Sequence, residues 1–312
     1  MPVWAWAATL GAFAALIAVD FAVTRNAGQG LRTAAALSGL WIAAGLAFGG
    51  ILWLWQGAGL AGQYYAGYLL EKALSVDNIF VFVLLFGSLA VPAGAQRRVL
   101  YFGVVGALLL RGGFIAAGGA LIDHIAWIFY VFGALVVLAG ARMFRPGPVA
   151  GAGANLAVRA LRRALPVADT GAGDRFFARA SGKTMVTPLF VALVAIEATD
   201  LVFALDSIPA VFGVTRNLFV VFTSNAFAVL GLRALYFLLA GSMERFRYLK
   251  QGLAVLLVFI GVKMLASPFV HVPVAVSLAV IAGVVGAAVA ASLWRERARP
   301  RPAQPRNGPV PG

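Results

Sequence analysis

Six of the eleven acidic residues in this 312-residue chain lie inside stretches apolar enough to cross a membrane. An ionisable group at membrane depth costs ~2.5 kcal/mol or more unless it is paired or hydrated, so such residues are read first as functional. Four bases are embedded in the same stretches. If each base neutralises one acid, two carboxylates stay unpaired, and a divalent cation or protonation would balance them. The acids are Asp20, Glu71, Asp77, Glu197, Asp200 and Asp206, and the bases are Lys72, Arg111, Arg233 and Lys263.

These acids, together with Ser75, Asn78 and Ser207 close to them in the sequence, are hard oxygen donors. Such ligands suit Mn²⁺, Mg²⁺ or Ca²⁺ better than zinc or copper. The chain contains no cysteine, and its two histidines, His124 and His271, fall in connections between apolar stretches. The candidate cation ligands are Glu71, Asp77, Asn78, Glu197, Asp200 and Asp206. Candidates for gating or counter-charge are Arg111, Arg233, Lys263, Ser75 and Ser207.

Helix geometry limits how these acids can meet. At ~100° per residue, Glu197 and Asp200 share a helix face, whereas Asp206 faces away from Glu197. Pro209 removes a backbone N–H and predicts a break near Asp206 and Ser207 that would free carbonyl ligands. A matching break at residues 75–78 follows only from the internal repeat. The two arginines are either fixed partners of Glu71 or Asp200, or cations that release their acid when metal binds.

The composition explains where these residues sit. The chain is 62% hydrophobic and 12% charged, with a mean hydropathy of +0.92, which excludes a water-soluble globule. At ~20 residues per span, the apolar stretches predict an all-α polytopic membrane protein of about nine transmembrane helices. They cover residues 3–22, 33–56, 62–91, 99–122, 125–141, 185–214, 217–242, 252–270 and 272–294.

The net charge of +14 reflects the distribution of Lys and Arg along the chain. Of the 25 basic residues, 20 fall in alternate connections, and Arg216 alone falls on the opposite side. This bias predicts an N-terminus outside and a C-terminus inside, and it argues against a nucleic-acid footprint. The first basic residue is Arg25, so we interpret the first apolar stretch as a retained span and not as a signal peptide.

Four regions are predicted along the chain. Residues 1–143 hold spans one to five, and residues 144–184 form a basic linker, partly helical near residues 156–165 and otherwise mobile. Residues 185–294 hold spans six to nine, and the Pro- and Arg-rich residues 295–312 form a disordered tail. The linker and the tail are expected on the cytoplasmic side.

Spans three to five and six to eight share landmarks in the same order. An acidic pair spaced by six residues is followed by a Leu-Arg dipeptide and then by GARM at 140–143 or GVKM at 261–264. Three spans per copy is an odd number, so the second copy enters the membrane from the opposite side. Inverted-topology repeats of this kind place substrate near the midplane of secondary transporters, where acids of both copies, Asp77 and Asp206 among them, would share one ion.

Four strings make the resemblance specific: EKALSVDNIFVF (71–82), EATDLVFALDSIPAVF (197–212), SNAFAVLGLRALYFLL (224–239) and FIGVKM (259–264). They resemble the TerC family, including its Alx-type members, within the LysE-like transporters. The resemblance covers residues 1–270 and implies a bacterial inner-membrane protein of manganese export and metal homeostasis, historically linked to tellurite resistance. It favours Mn²⁺ over Mg²⁺ or Ca²⁺. The family's acidic positions match the six candidate ligands.

Other classes of function remain. A non-transporting subunit of a stress or tellurite-resistance complex, and a LysE-like exporter of organic solutes, would fit the same membrane architecture. An intramembrane aspartyl protease is disfavoured because the acids stand in VDN and LDS, not in YD and GxGD motifs. We therefore expect that this protein is not an enzyme and that it holds no permanently bound cofactor. With no Walker A pattern, we expect proton antiport as the driving force. The expected partners are the bilayer and the cation, and the sequence makes no prediction of oligomeric state.

Overall fold

The computed structural model describes residues 1–26, 31–89, 91–125, 127–144, 158–161, 163, 165–167, 175–180, 183–239, 248–270 and 272–297. The helices are α1 Val3–Asn26, α2 Leu31–Gln56, α3 Ala58–Ser88, α4 Ala93–His124, α5 Ile128–Met143, α6 Pro188–Val214, α7 Leu218–Leu230, α8 Leu232–Leu239, α9 Leu249–Ala266 and α10 Val274–Arg297. The strands are β1 Phe177–Ala180 and β2 Lys183–Val186. Most of the predicted tail and much of the predicted linker lie outside the described residues.

The helices make this chain a polytopic α-helical membrane protein. By length and composition, α1, α2, α4, α6 and α10 can each cross a membrane, and α7 with α8 makes a sixth candidate if the bent pair is one span. Helix α3 has 31 residues but carries Glu71, Lys72 and Asp77 close together. Helices α5 and α9 are shorter, with 16 and 18 residues. The total of nine spans stays a prediction.

Burial separates central from peripheral helices. Helices α6 and α7 are buried over most of their described lengths, and α3 contributes to all three apolar clusters of the core. Large apolar side chains on α1, α2 and α10 are exposed, among them Trp4, Leu54 and Trp294. Contiguous exposed apolar surface on a chain of this composition is the expected lipid-facing surface.

Helix α6 is continuous where the sequence predicts a break. Its N-terminus is capped by Thr187, whose side chain accepts from the amide of Phe190, and Pro209 lies inside the helix. The predicted opening at Asp206 and Ser207 is therefore wrong. A proline removes one backbone donor, but residues 207–214 are all buried, and this packing holds the helical path. Helix α3 also runs unbroken through residues 75–78.

Helices α5 and α9 approach each other through glycines. A Cβ at Gly140 would lie 2.8 Å from the Ala254 carbonyl oxygen, and a Cβ at Gly261 would lie 2.7 Å from the Gly133 carbonyl oxygen. Only glycine permits such a close backbone approach. The two helices therefore cross with no side chain between them at these positions.

A short hairpin precedes α6. Strands β1 and β2 are antiparallel, with Phe177 paired to Val186, and the Phe176 carbonyl accepts from the Thr187 amide at 3.0 Å. The adjoining Phe176 ring packs on Phe102 of α4 and lies under the Arg98 guanidinium. The sequence predicts a linker over residues 144–184, whereas the structure has two strands at its end.

Candidate functional site

Arg111 of α4 is the centre of a buried polar cluster. Its Nε and Nη2 donate to Oδ2 and Oδ1 of Asp200 on α6, each at 2.8 Å. Its Nη1 donates to the Glu71 carboxylate on α3 and to Oδ1 of Asn225 on α7 at 3.5 Å. One guanidinium thus joins four helices. Two parallel charge-assisted bonds to one carboxylate fix geometry as well as charge.

The charges of this cluster do not cancel. Arg111, Glu71 and Asp200 are 1%, 0% and 2% exposed, and two carboxylates face one guanidinium. Buried ions are tolerated only when their partners offset the loss of hydration. Glu71 nevertheless keeps one oxygen, Oε2, without a hydrogen-bond partner. The cluster is therefore formally anionic and retains free acceptor capacity.

Glu197 adds a third acid one helical turn before Asp200. Both of its carboxylate oxygens are buried and make no hydrogen bond. The carboxylate packs against glycines of α4, because a Cβ at Gly106 would lie 2.6 Å from Cδ of Glu197 and a Cβ at Gly103 would lie 3.7 Å from Oε1. These glycines form a notch for the acid. Glu197 is recognisable from the sequence, whereas the notch is not; its signal in the sequence is the pair of glycines on the helix that carries Arg111.

Other candidate residues are also buried. The hydroxyls of Ser75 on α3 and Ser207 on α6 are buried without a hydrogen-bond partner, as is the amide nitrogen of Asn225. Asn78 is also buried. The two hydroxyl oxygens without partners are further hard donors.

The structure describes the side chain of Asp206 but only the backbone of Asp77. Asp206 is partly exposed on α6. The backbone of Asp77 lies in α3, but its side chain lies outside the described part of the structure. The predicted sharing of one ion by Asp77 and Asp206 stays a prediction.

The remaining embedded bases have partners outside the Arg111 cluster. Arg233 of α8 pairs with Asp20 of α1 at 2.7 Å, so its predicted pairing with Glu71 or Asp200 is wrong. Helix α1 lies outside the predicted repeat. Lys263 donates to the Ser277 hydroxyl on α10 at 2.8 Å, and Lys72 donates to the Ala228 carbonyl at 3.0 Å.

The predicted ligands are thus brought together only in part. Glu71 and Asp200 meet through Arg111, with Glu197 on the adjacent turn, and Asp206 lies further along α6. Among the side chains that the structure describes, no group of three or more His, Cys, Asp or Glu residues is arranged to hold one metal ion. A shared cation would require Arg111 to move away from its acids.

Comparisons with known proteins agree with the resemblance found in the sequence. Residues 56–300 match the family model described as the integral membrane protein TerC family. An uncharacterized membrane protein of Myxococcus xanthus is 44% identical over 302 residues, covering 95% of this chain and 93% of that protein. Alx of Escherichia coli K12, named as a candidate membrane-bound redox modulator, is 42% identical over 301 residues, covering 93% and 94%.

A more distant relative is an uncharacterized membrane protein of Mycobacterium bovis, 38% identical over 324 aligned positions that cover 96% of this chain and 82% of that protein. No solved structure matches the chain. The matched region contains the Arg111 cluster, the glycine notch and Arg233. The chain therefore belongs to the TerC family of integral membrane proteins.

Proposed function

We propose that this protein exports a divalent metal ion, with Mn²⁺ as the main substrate, across the bacterial cytoplasmic membrane. The observation that carries the proposal is the charge of the buried cluster. Glu71, Asp200 and Glu197 supply three carboxylates against the single Arg111 guanidinium, a formal excess of two negative charges. One divalent cation would balance that excess, and the donors are the oxygen ligands such ions prefer.

Arg111 acts in this proposal as an exchangeable counter-ion. While it bridges Glu71 and Asp200, the acids are satisfied without substrate. An incoming cation competes for the same oxygens, and Arg111 swings from Asp200 towards the amide oxygen of Asn225, which it already contacts at 3.5 Å. A binding step that exchanges one cation for another avoids leaving carboxylates unpaired at membrane depth.

Two half-transporters of opposite orientation fit the contacts of α5 and α9. Residues 133, 137 and 140 correspond in the repeat to residues 254, 258 and 261, each 121 positions later. Gly140 faces Ala254 and Val258, and Gly261 faces Gly133 and Val137. The offset of 121 therefore converts the contacts of Gly140 into those of Gly261, with the two helices exchanged, which supports an inverted-topology repeat.

The driving force is proton exchange in this proposal. The chain carries no Walker A sequence for a nucleotide, and carboxylates exchange H⁺ for metal. The name of the Escherichia coli relative refers to redox modulation, but this chain has no cysteine and so offers no thiol for such a role. A subunit that modulates a stress or tellurite-resistance complex without flux is the alternative, and a LysE-like exporter of organic solutes is another.

Metal flux in proteoliposomes tests the proposal directly. Wild-type protein should move Mn²⁺, and Glu197→Gln and Asp206→Asn, each at normal abundance, should lower the rate at least tenfold. Asp123→Asn, at the end of α4, is the matched control and should transport normally. If liposomes that contain wild-type protein move no more Mn²⁺ than protein-free liposomes, the non-transporting alternative is favoured. Transport of organic cations without transport of Mn²⁺ would favour a solute exporter.

A further inference from the structure

Helices α7 and α8 are one helical stretch broken in its middle. They are bent by 40°, with Gly231 between the last residue of α7 and the first of α8. The final carbonyls of a helix have no partner within it, and water is not available to satisfy them at membrane depth. Ala228 is in the last turn of α7 and is 0% exposed. Its carbonyl therefore needs a donor from elsewhere in the protein.

Lys72 of α3 supplies this donor. Its Nζ lies 3.0 Å from the Ala228 carbonyl oxygen. A Cβ at Gly231 would lie 2.8 Å from that Nζ and 3.0 Å from Cβ of Trp41. Glycine at the break therefore leaves the space that the ammonium group occupies. No carboxylate pairs with Lys72 among the described side chains, so a main-chain carbonyl is its partner.

The same bond lies next to the Arg111 cluster. Lys72 follows Glu71, which contacts Arg111, and Ala228 lies one turn after Asn225, which accepts from Arg111. Helix α3 thus holds α7 at two successive turns. Lys72 holds it directly at Ala228, and Glu71 holds it through Arg111 at Asn225.

We propose that Lys72 is a positioning residue that caps α7, fixes the bend between α7 and α8, and thereby places Asn225 against Arg111. The cap stands on the contacts alone. Its effect on transport rests on the proposed function. An embedded lysine that satisfies helix-end carbonyls performs the task that lysines near helix C-termini perform in water, without a role as a ligand or an acid.

Distance measurement between spin labels tests the cap without any transport assay. The chain has no native cysteine, so Leu218→Cys and Leu238→Cys provide the only two labelling positions. A helical rise of 1.5 Å per residue places them ~30 Å apart. In nanodiscs, Lys72→Met should at least double the width of the distance distribution. Lys72→Arg, which keeps donors on a long side chain, should restore the narrow distribution. Lys263→Met is the control, because that lysine bonds Ser277 on α10.

An unchanged distribution in Lys72→Met, or an equal broadening in Lys263→Met, would overturn the cap. If Lys72→Met does not fold, Gly231→Ala decides, because its Cβ displaces the ammonium group: a broad distribution supports the cap and a narrow one overturns it.

Mn²⁺ flux separates the two proposals. At least a tenfold loss in Lys72→Met with recovery in Lys72→Arg supports positioning, and normal flux with a broad distribution overturns it. Absence of flux in wild type would count against the proposed function and leave the distance result standing.

Discussion

Arg111 and Asp200 are joined by two parallel hydrogen bonds of 2.8 Å each. Both side chains are almost fully buried, and their helices belong to different halves of the chain. A second acid, Glu71, contacts the same guanidinium. The bidentate pair is thus one of the polar links between the two halves, and in the proposed function the excess of carboxylate around it is what a transported cation would meet.

Replacing Arg111 should destabilise the fold. Arg111→Ala leaves Glu71 and Asp200 buried without a counter-charge, and breaking a buried pair in this way costs ~3–5 kcal/mol. Arg111→Lys should be intermediate, because an ammonium cannot form two parallel bonds with a carboxylate. Thermal unfolding in detergent measures both. Arg216→Ala is the control, since Arg216 is exposed and stacks on Phe129, and an Arg111→Ala protein as stable as this control would contradict the prediction.

Glu197→Gln should spare the fold and abolish transport. Neither Glu197 oxygen has a hydrogen-bond partner, so the neutral amide removes a buried charge while it keeps the shape of the side chain. Thermal stability should be unchanged or higher, whereas Mn²⁺ flux should fall at least tenfold. Stability and flux are measured on the same preparation. A protein that loses both together would show that Glu197 has a structural role.

Filling the notch at Gly106 should disturb Glu197 specifically. The added methyl of Gly106→Ala would lie 2.6 Å from Cδ of Glu197, and overpacking of this kind costs ~1–3 kcal/mol. Gly113→Ala on the same helix meets no atom within 4 Å and should be neutral or stabilising. The double variant Gly106→Ala with Glu197→Ala should recover stability. Unfolding curves of the four proteins check this, and equal effects at both glycines would refute a notch.

Arg233 and Asp20 should show coupling in a double-mutant cycle. Their side chains are 2.7 Å apart and largely buried, so Arg233→Ala should lower both expression and transport. Contacting pairs couple by ~0.5–3 kcal/mol, and Asp20→Asn in the Arg233→Ala background should therefore cost little more. Additive losses in thermal stability would show that the pair contributes nothing beyond its separate residues.

The membrane orientation can be tested with single cysteines. The distribution of basic residues predicts that residue 171 faces the cytoplasm and that the N-terminus is outside. A cysteine at position 171 should resist a membrane-impermeant maleimide in intact cells and react after permeabilisation. A cysteine at Pro2 is the control and should react in intact cells. Labelling of position 171 from outside would reverse the predicted topology.

The class of the protein and the identities of its embedded charges follow from the sequence, but the pairing of those charges does not. Glu71, Asp200 and Arg111 are recognisable because charge in an apolar stretch is expensive. The sequence left open whether Arg111 or Arg233 meets Asp200. Arg233 pairs instead with Asp20 of α1, a helix that the repeat does not include.

Pro209 shows a second limit of local inference. A proline within a helix predicts a break from the loss of one donor and from a steric clash. In α6 that local preference is opposed by burial of every residue from 207 to 214, which a sequence window does not reveal. The role of Gly103 and Gly106 cannot be predicted for a related reason. A glycine in a helix indicates a close contact only when the side chain that packs against it is known.

The order of the Arg111 contacts along the chain has a consequence for synthesis. Glu71 precedes Arg111 by 40 residues, whereas Asp200 and Asn225 follow it by 89 and 114 residues. When α4 enters the bilayer behind α3, Glu71 is the only one of the three partners already made, and the pair can be inserted with no net charge. When α6 is inserted later, Asp200 can pair with Arg111, which is already in the membrane. The first half of the chain thus prepares the membrane insertion of the second.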